Sequence, residues 1–185
     1  MDITIISDTH LGNLKFEEDS LRPKGFSEKI LKRLKSYSLS KDSILLHLGD
    51  ICYEKDAEWN AAITSLAPGK KWLVTGNHDK KSASWYLSHN WDMVCESFTL
   101  FAFGKRILFS HKPLPVTFSS GIDLNIHGHF HDFSLEKIQT EEPHLAEFVG
   151  DKKHFLISLE KLNYAPVKLK HIITLFSEQE NKKNV

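Results

Sequence analysis

The sequence predicts an α/β fold, with parallel strands first, hairpins later and helices on the outside. In the first half of the chain, short apolar runs alternate with amphipathic segments, which is the pattern of parallel strands joined by helices. In the second half, apolar runs follow one another with turn signals between them, which favours further strands. A chain of 185 residues with this pattern is expected to form one domain over residues 1–176, followed by a polar, frayed C-terminal tail over residues 177–185.

Each predicted element of the first half has its own signal. Ile3–Ile6 is short, apolar and β-branched, which is typical of a buried strand. Gly12–Gly25 has mixed charge and no clear period, so a long loop is predicted there. Ser27–Tyr37 is predicted to be an amphipathic helix with Ser27 as its N-cap. The other elements of this half are the strands Ser43–Leu48 and Lys71–Thr75 and the helices Asp56–Leu66 and Lys80–His89.

The second half is predicted to contain mostly strands. Met93–Phe103 and Arg106–Ser110 are apolar runs separated by a Gly104-Lys105 turn, which indicates a β-hairpin. Leu124–Ile126 is a short apolar run that leads into a histidine-rich segment. Further strands are predicted at Phe155–Leu159 and His171–Leu175.

Composition narrows the function classes. The chain has 24 basic and 24 acidic residues, so its overall charge does not support nucleic-acid binding, although a local basic patch stays open. No stretch reaches about 18 apolar residues, so neither a signal peptide nor a membrane span is expected. Cys52 and Cys95 are expected to be reduced thiols of a cytoplasmic protein.

Five polar motifs each follow a predicted strand. Active sites of open α/β sheets form at the carboxyl ends of the strands, so these motifs are expected to meet. One such motif is weak evidence, whereas five in one short chain indicate a site. The motifs are Asp8-x-His10, Gly49-Asp50, Gly76-Asn77-His78-Asp79, Ser110-His111 and Gly128-His129-x-His131.

The residue types in these motifs suit a pair of divalent metal ions. Two cations roughly 3.5–4 Å apart repel each other, so a carboxylate must bridge them. Neutral imidazoles and an amide oxygen keep the pair positively charged and able to bind phosphate. Mixed nitrogen and oxygen ligands favour manganese, iron, zinc, cobalt or nickel over calcium. The glycines before Asp50, Asn77 and His129 are expected to let the backbone turn sharply.

In content and order the five motifs resemble the signature blocks of the calcineurin-like metallophosphoesterases. They span residues 8–131, about two-thirds of the chain, and the compact form is similar to small, single-domain bacterial, archaeal and phage members. The resemblance implies a four-layer α/β/β/α sandwich of two mixed β-sheets flanked by helices, with a dinuclear metal site at one edge.

The resemblance also implies a role for each motif residue. One metal would be held by Asp8, His10, Asp50 and His131, and the second by Asp50, Asn77, His111 and His129. Asp50 would be the bridge. His78 would ligate nothing and would protonate the leaving oxygen, while a hydroxide between the metals would attack phosphorus in line.

The expected function is metal-dependent hydrolysis of a phosphodiester or a small phosphorylated metabolite, with manganese favoured. The substrate would be a phosphorylated small molecule or a nucleotide. A phosphomonoesterase or nuclease at the same site, or a non-catalytic scaffold of this fold, are the alternatives. Gly49-Asp50 is followed by Ile51-Cys52-Tyr53-Glu54 with no arginine, which argues against the protein phosphatases of the superfamily. Oligomeric state is left open.

Several polar residues are interpreted as structural. His47 and His127 are expected to pack within strands, and Lys112 has only weak claims to a phosphate contact. For Asp79, orientation of His78 and a helix N-cap are both open. The cations of the long loop, expected to be solvated, are Lys15, Arg22 and Lys24. The histidines expected to be surface or structural residues are His89, His144, His154 and His171.

Overall fold

The fold is built on two β-sheets. The computed structural model describes residues 2–37 and 39–181, and within them the strands form a five-stranded and a four-stranded sheet. The first sheet contains β1 (Asp2–Ile6), β2 (Ser43–His47), β3 (Lys70–Val74), β4 (Met93–Cys95) and β9 (Val167–Lys168). The second contains β5 (Ser97–Ala102), β6 (Lys105–Ser110), β7 (Leu124–His127) and β8 (His154–Leu156). The helices are α1 (Leu14–Glu18), α2 (Phe26–Ser36), α3 (Asp56–Ser65), α4 (Ala83–Ser88), α5 (Leu135–Glu141) and α6 (Leu169–Asn181).

Both sheets are mixed. In the first, the order is β4-β3-β2-β1-β9, with β1 to β4 parallel and β9 antiparallel to β1. In the second, the order is β5-β6-β7-β8, with β5 and β6 antiparallel and β6, β7 and β8 parallel. The parallel strands of each sheet therefore end at one common edge, where the polar motifs follow them.

Three apolar clusters separate the layers. Ile3 of β1 lies in the same buried cluster as Ile126 of β7, so the main core fills the space between the two sheets. Ile6 lies on the opposite face of β1, because side chains of a strand alternate, and it clusters with Ile30 of α2. Ile138 of α5 belongs to a third cluster that includes one face of β8. The layers therefore run α/β/β/α, and the expected sandwich of two mixed sheets is confirmed.

Two predictions for the second half are wrong in detail. Met93–Phe103 is not one strand, because the chain leaves the first sheet after β4 and enters the second sheet at β5. An apolar run in the sequence does not indicate which of the two sheets each of its segments joins. The predicted strand His171–Leu175 is part of helix α6. Helix α6 buries residues at helical spacing, namely Leu169, Ile172, Ile173 and Phe176. The run His171–Leu175 contains only the middle of this pattern, which does not distinguish a helix from a strand.

The C-terminal tail is only partly described. Helix α6 continues past residue 176 to Asn181, so the described part of the predicted tail is helical. The remainder of that tail, residues 182–185, lies outside the described residues. The domain boundary at residue 176 stays a prediction.

The predicted loop over Gly12–Gly25 contains the short helix α1. Ser27 is not the N-cap of α2, since the helix begins at Phe26 and the Ser27 hydroxyl accepts the amide of Gly12 instead. Helix α5 was not predicted at all. The other predicted elements occur with their ends shifted by up to three residues.

Helix length and hydropathy bear on a membrane span. In the part of the chain that the structure describes, every helix is too short or too polar to cross a bilayer.

Candidate metal centre

The polar motifs meet where the parallel strands of both sheets end. The loops after β1 and β2 are tied by backbone hydrogen bonds from Asp8 N to Gly49 O (2.9 Å) and from His10 N to Asp50 O (3.0 Å). After β6 and β7, Gly128 N donates to His111 O over 2.9 Å. The structure therefore brings together the side chains that the sequence places on five separate loops.

One group of ligand-type atoms, named here the inner cluster, consists of Asp8, His10 and His131. Their candidate ligand atoms all lie within 4.8 Å of one another. Asp8 Oδ1 is 3.9 Å from His10 Nε2 and 3.6 Å from His131 Nε2. All three residues are buried, with relative exposures of 1%, 2% and 9%. Two ligand atoms about 2.1 Å from a metal lie roughly 3 Å apart at adjacent octahedral positions and at most about 4.2 Å apart, so one cation can span this spacing.

A second group, the outer cluster, consists of Asp50, His111 and His129, with Asn77 beside them. His111 Nε2 lies 3.3 Å from Asp50 Oδ2, 3.3 Å from His129 Nδ1 and 3.0 Å from Asn77 Oδ1. His111 Nδ1 donates to the carbonyl of Leu48 over 2.7 Å, so in the neutral ring Nε2 carries the lone pair. Asn77 is exposed, whereas Asp50 is buried.

Asp50 lies between the two clusters. Its Oδ2 atom is 3.3 Å from His111 Nε2 on one side and 3.6 Å from His10 Nε2 on the other. Its Oδ1 atom accepts the backbone N–H of His78 over 2.7 Å. Of the described carboxylates near the clusters, Asp50 is therefore the one placed to serve both.

The inner cluster fits a metal ion because it contains buried polar atoms that protein groups leave unsatisfied. Among residues 2–37 and 39–181, Asp8 Oδ1 and both ring nitrogens of His10 are buried without a hydrogen-bond partner. Leaving such atoms unpaired costs about 1–3 kcal/mol each. A divalent cation would satisfy Asp8 Oδ1 and His10 Nε2, which face each other, and carboxylates with imidazoles are ligands that manganese, iron and zinc accept.

Charge in the clusters also points to a bound cation. Although burial lowers it, the carboxylates of Asp8 and Asp50 raise the pKa of His111 to about 9. Burial raises the pKa of Asp50, but the hydrogen bond from His111 and the nearby His10 hold it below its ordinary value. The site therefore draws in positive charge, which a metal ion can supply in place of a proton.

The backbone of the ligand loops is unusual in a way that the sequence does not reveal. Five candidate ligands have left-handed backbone conformations: Asp8 (φ +52°), His10 (+43°), Asp50 (+58°), His129 (+74°) and His131 (+48°). Such conformations cost side-chain-bearing residues roughly 1–3 kcal/mol and are concentrated at functional sites. The strand ends are therefore held in strained turns that aim the ligands inward.

The glycines of the motifs serve two purposes rather than one. Gly49 has a φ of +94°, which agrees with the expected sharp turn. Gly76 and Gly128 are not among the positive-φ glycines, so the turns that begin there, where Asp79 N donates to Gly76 O and Phe130 N to Gly128 O, do not need that conformational freedom. A Cβ on Gly76 would overlap the Asp50 carboxylate, and one on Gly128 would overlap Ser7 and Asp8. These two glycines are needed because the ligand loops pack against their backbone.

Asp79 connects two of the ligand loops. Its carboxylate accepts the backbone N–H groups of Asp50 (2.8 Å), Gly76 (2.8 Å) and Ile51 (3.1 Å). It does not cap helix α4, whose N-cap is Ser82. Both interpretations from sequence are therefore replaced by a third, in which Asp79 fixes the loop after β2 against the loop after β3.

His78 stands at the mouth of the site. Its side chain is 49% exposed, and its Nε2 atom lies 4.0 Å from Asp50 Oδ2. The neighbouring ring of His10 is 5.3 Å away, centroid to centroid. His78 therefore faces the space in front of both clusters without belonging to either.

His47 and His127 are buried strand residues, as expected from sequence. His47 Nδ1 accepts the backbone N–H of Gly49 over 3.1 Å, and its Nε2 lies 2.9 Å from the hydroxyl of Thr9. A nitrogen that accepts a backbone N–H carries no proton, so His47 is neutral. It supports the loops after β1 and β2 from beneath.

Sequence reasoning missed three residues that support the clusters. Arg22 was expected to be a solvated loop cation, but only 3% of its surface is exposed. It donates to the backbone carbonyls of Asp8 (2.8 Å) and Thr9 (3.0 Å). Glu142 and Glu160 contact His129 and His131, respectively. No local pattern marks these glutamates, and only the rule that metal-binding histidines usually have a carboxylate partner would have prompted a search.

A cleft large enough for part of a substrate borders each cluster. One, of about 400 Å³, is lined by Asn77, His111 and Lys112 next to the outer cluster. The other, of about 240 Å³, is lined by Phe16, Phe133 and His131 next to the inner cluster. The second cleft is also lined by Arg22 and Glu160, which contact the Nδ1 side of His131.

Known proteins resemble this chain along most of its length. A model of the calcineurin-like phosphoesterase family matches residues 1–158. Uncharacterized protein MJ1445 of Methanocaldococcus jannaschii is 26% identical over 187 residues, which cover 95% of this chain and 92% of that protein. The solved structure of AQ665, a protein of unknown function from Aquifex aeolicus, is similar with a TM-score of 0.72 and 28% identity, over 94% of this chain and 98% of that chain.

Proposed function

The chain belongs to the calcineurin-like phosphoesterase family, and we propose that it hydrolyses phosphodiesters or small phosphorylated metabolites at a dinuclear metal centre. The observation that carries this proposal is the pair of clusters joined at Asp50, the inner of which has buried Asp8 and His10 atoms that protein groups leave unsatisfied. That arrangement is suited to two cations and to little else. Phosphoric ester hydrolysis follows from the family; the dinuclear centre and the substrate class are the proposal.

The proposed ligands divide between two metal positions. Asp50 is shared, because its Oδ2 atom faces both clusters. When bound, two divalent cations supply an activated water and neutralise charge that develops on the phosphoryl oxygens. The donor set suits manganese, iron, zinc, nickel or cobalt, and we favour manganese. The first position takes Asp8, His10, Asp50 and His131, and the second takes Asp50, Asn77, His111 and His129.

His78 is the proposed catalytic residue. Its exposed ring can reach a phosphate ester in front of the clusters, and the backbone contact with Asp50 fixes where it stands. An imidazole in this place can stabilise the phosphoryl oxygens and donate a proton to the leaving oxygen. The chain contributes this group from the same loop that carries Asn77, so one turn serves both binding and proton transfer.

The two clefts favour a diester as substrate. A phosphodiester carries a substituent on each side of phosphorus, and one cleft lies beside each cluster. A monoester would use only one of them. A nuclease activity stays an alternative, but 24 basic against 24 acidic residues give it no support. Cytoplasmic location stays a prediction.

The test is hydrolysis after metal reconstitution. The protein is stripped with a chelator, reloaded with manganese or nickel, and assayed with bis-p-nitrophenyl phosphate and p-nitrophenyl phosphate. Metal-dependent turnover with the diester faster than the monoester is expected. Faster monoester turnover would reject the diester preference. Bound metal without turnover of either ester would favour the scaffold alternative.

A further inference from the structure

Each histidine of Gly128-His129-x-His131 contacts a glutamate through the ring nitrogen that points away from its cluster. His129 Nε2 lies 2.5 Å from Glu142 Oε1, while its Nδ1 faces the outer cluster. His131 Nδ1 lies 3.3 Å from Glu160 Oε1, while its Nε2 faces the inner cluster. The two rings therefore present opposite nitrogens to their clusters, and a carboxylate stands behind each.

Hydrogen-bond counting assigns the ring protons. A carboxylate only accepts, so Glu142 takes the N–H of His129 Nε2 and leaves the lone pair on Nδ1. At His131, Nδ1 also lies 3.2 Å from Arg22 Nη2, but the two hydrogens of that nitrogen are directed to the closer Asp8 carbonyl (2.8 Å) and Glu160 Oε1 (2.7 Å). The N–H of His131 Nδ1 therefore also goes to Glu160, and the lone pair is on Nε2.

Both glutamates are themselves held in place. Glu142 ends helix α5 in the crossover between β7 and β8, and Ile138 of that helix packs in the third apolar cluster with Phe130. Because Phe130 lies between the two histidines in sequence, the crossover is anchored on the loop that it supports. Glu160 follows β8 and accepts a hydrogen bond from the hydroxyl of Ser158 over 3.1 Å. It lies two residues past the end of the family match.

We infer that Glu142 and Glu160 are positioning residues, one for each metal position, that fix the ring nitrogen which His129 and His131 offer to a metal. This inference rests on the proposed dinuclear centre. A carboxylate behind a histidine holds the tautomer and the ring orientation and increases the basicity of the ligating nitrogen. The crossover that contains α5 therefore places Glu142 against His129.

Glu142 offers the cleaner test, because its side chain is 25% exposed and its loss leaves no buried charge unpaired. Glu142→Ala, Glu142→Gln and the control Glu141→Ala are stripped of metal and reloaded with manganese. The number bound is measured by elemental analysis, and affinity by competition with a chelator. Glu141 is a suitable control, since its carboxylate is exposed and pairs only loosely with Lys137 at 3.9 Å.

In Glu142→Ala, one of two manganese ions is expected to bind about 10–100-fold more weakly than in the wild type. Glu142→Gln is expected to recover part of this loss, since its amide oxygen can accept the same N–H. Glu141→Ala should bind as the wild type does. Melting temperatures of the metal-free proteins separate this effect from a loss of fold.

Glu160 is tested with Glu160→Gln, which keeps an acceptor for Arg22 and His131, against the exposed Glu147→Gln as control. The affinity for one of the two manganese ions is expected to fall, but by less than in Glu142→Ala. Two double variants test whether Glu142 acts through His129. In a protein that already carries His129→Ala, Glu142→Ala should cause no further loss of manganese affinity. In a protein that carries His131→Ala, it should cause its full loss.

The inference is overturned if Glu142→Ala binds two manganese ions with wild-type affinity, or if its effect persists unchanged in His129→Ala. These outcomes are distinct from failure of the proposed function. A wild-type protein that binds two manganese ions, depends on Glu142 for one of them and hydrolyses no phosphate ester would retain the inference and reject the proposed chemistry.

Discussion

The inner and outer clusters contain the same kinds of ligand but are supported differently. Behind the inner cluster, Glu160 pairs with Arg22, and these side chains are 14% and 1% exposed. Behind the outer cluster, Glu142 pairs with Lys112, and these are 25% and 39% exposed. A buried pair resists solvent screening and is costly to break, whereas an exposed pair is worth little. The inner cluster is thus tied to the stability of the fold, whereas the support of the outer cluster is more exposed.

Asp50 belongs to both clusters, so its loss should have the largest effect. In Asp50→Ala, the paired metal centre is expected to be lost and diester hydrolysis to fall by about 10³-fold or more. Manganese content and the rate with bis-p-nitrophenyl phosphate measure this. Glu58→Gln, at a side chain 71% exposed, is the matched control. Two tightly bound manganese ions in Asp50→Ala would show that the clusters do not depend on a shared ligand.

The difference in support predicts unequal losses of stability. Arg22→Met removes the buried cation that pairs with Glu160, so the free energy of unfolding is expected to fall by about 3–5 kcal/mol. Lys112→Met breaks the exposed pair and should change it by about 1 kcal/mol or less. Urea unfolding of the metal-free proteins gives both values. Similar losses in the two variants would remove the distinction between the clusters.

His78, in front of both clusters, tests whether a residue that ligates no metal contributes to the rate. His78→Ala is expected to lower kcat about 10²-fold, because a proton donor is lost, while both manganese ions are retained. His89→Ala serves as a control at a histidine outside the site. Loss of a metal ion in His78→Ala would mean that His78 is a ligand and that the proposed division of roles fails.

The clusters share a support beneath them, and this predicts a dependence on pH. Burial lowers the pKa of His47 to about 3, whereas the pKa in the unfolded chain is near 6.5. Below pH 6.5 the unfolded chain gains a proton that the folded protein does not, so stability falls as pH falls. The contribution approaches about 1.4 kcal/mol per pH unit. Urea unfolding of metal-free wild type and His47→Gln at pH 7 and pH 5 should show a shallower loss in the variant, and equal losses would contradict it.

Much of the site was predictable from sequence because the candidate ligands lie in short local motifs. Asp8, His10 and Asp50 directly follow strands whose apolar runs are unmistakable, and parallel strands bring such ends to one edge. The left-handed conformations of the same residues were not predictable, because Asp and His do not require them locally. Tertiary packing imposes these turns.

The residues that the sequence missed act over long separations. Arg22 and Glu160 are 138 positions apart, and no periodicity or spacing connects them. The polar neighbours of Arg22 in the loop predict a solvated side chain, but the folded protein buries it. Likewise His171 lies in α6 rather than in a strand, since only the positions beyond the apolar run reveal the helical spacing.

The central claim is that Asp50 joins two metal positions in one centre, and manganese titration of the stripped wild-type protein tests it most directly. Electron paramagnetic resonance distinguishes isolated Mn²⁺ from a coupled pair. The account predicts two manganese ions per chain and a coupled signal as the second ion binds. A single ion per chain, or two ions that stay magnetically isolated, would contradict it.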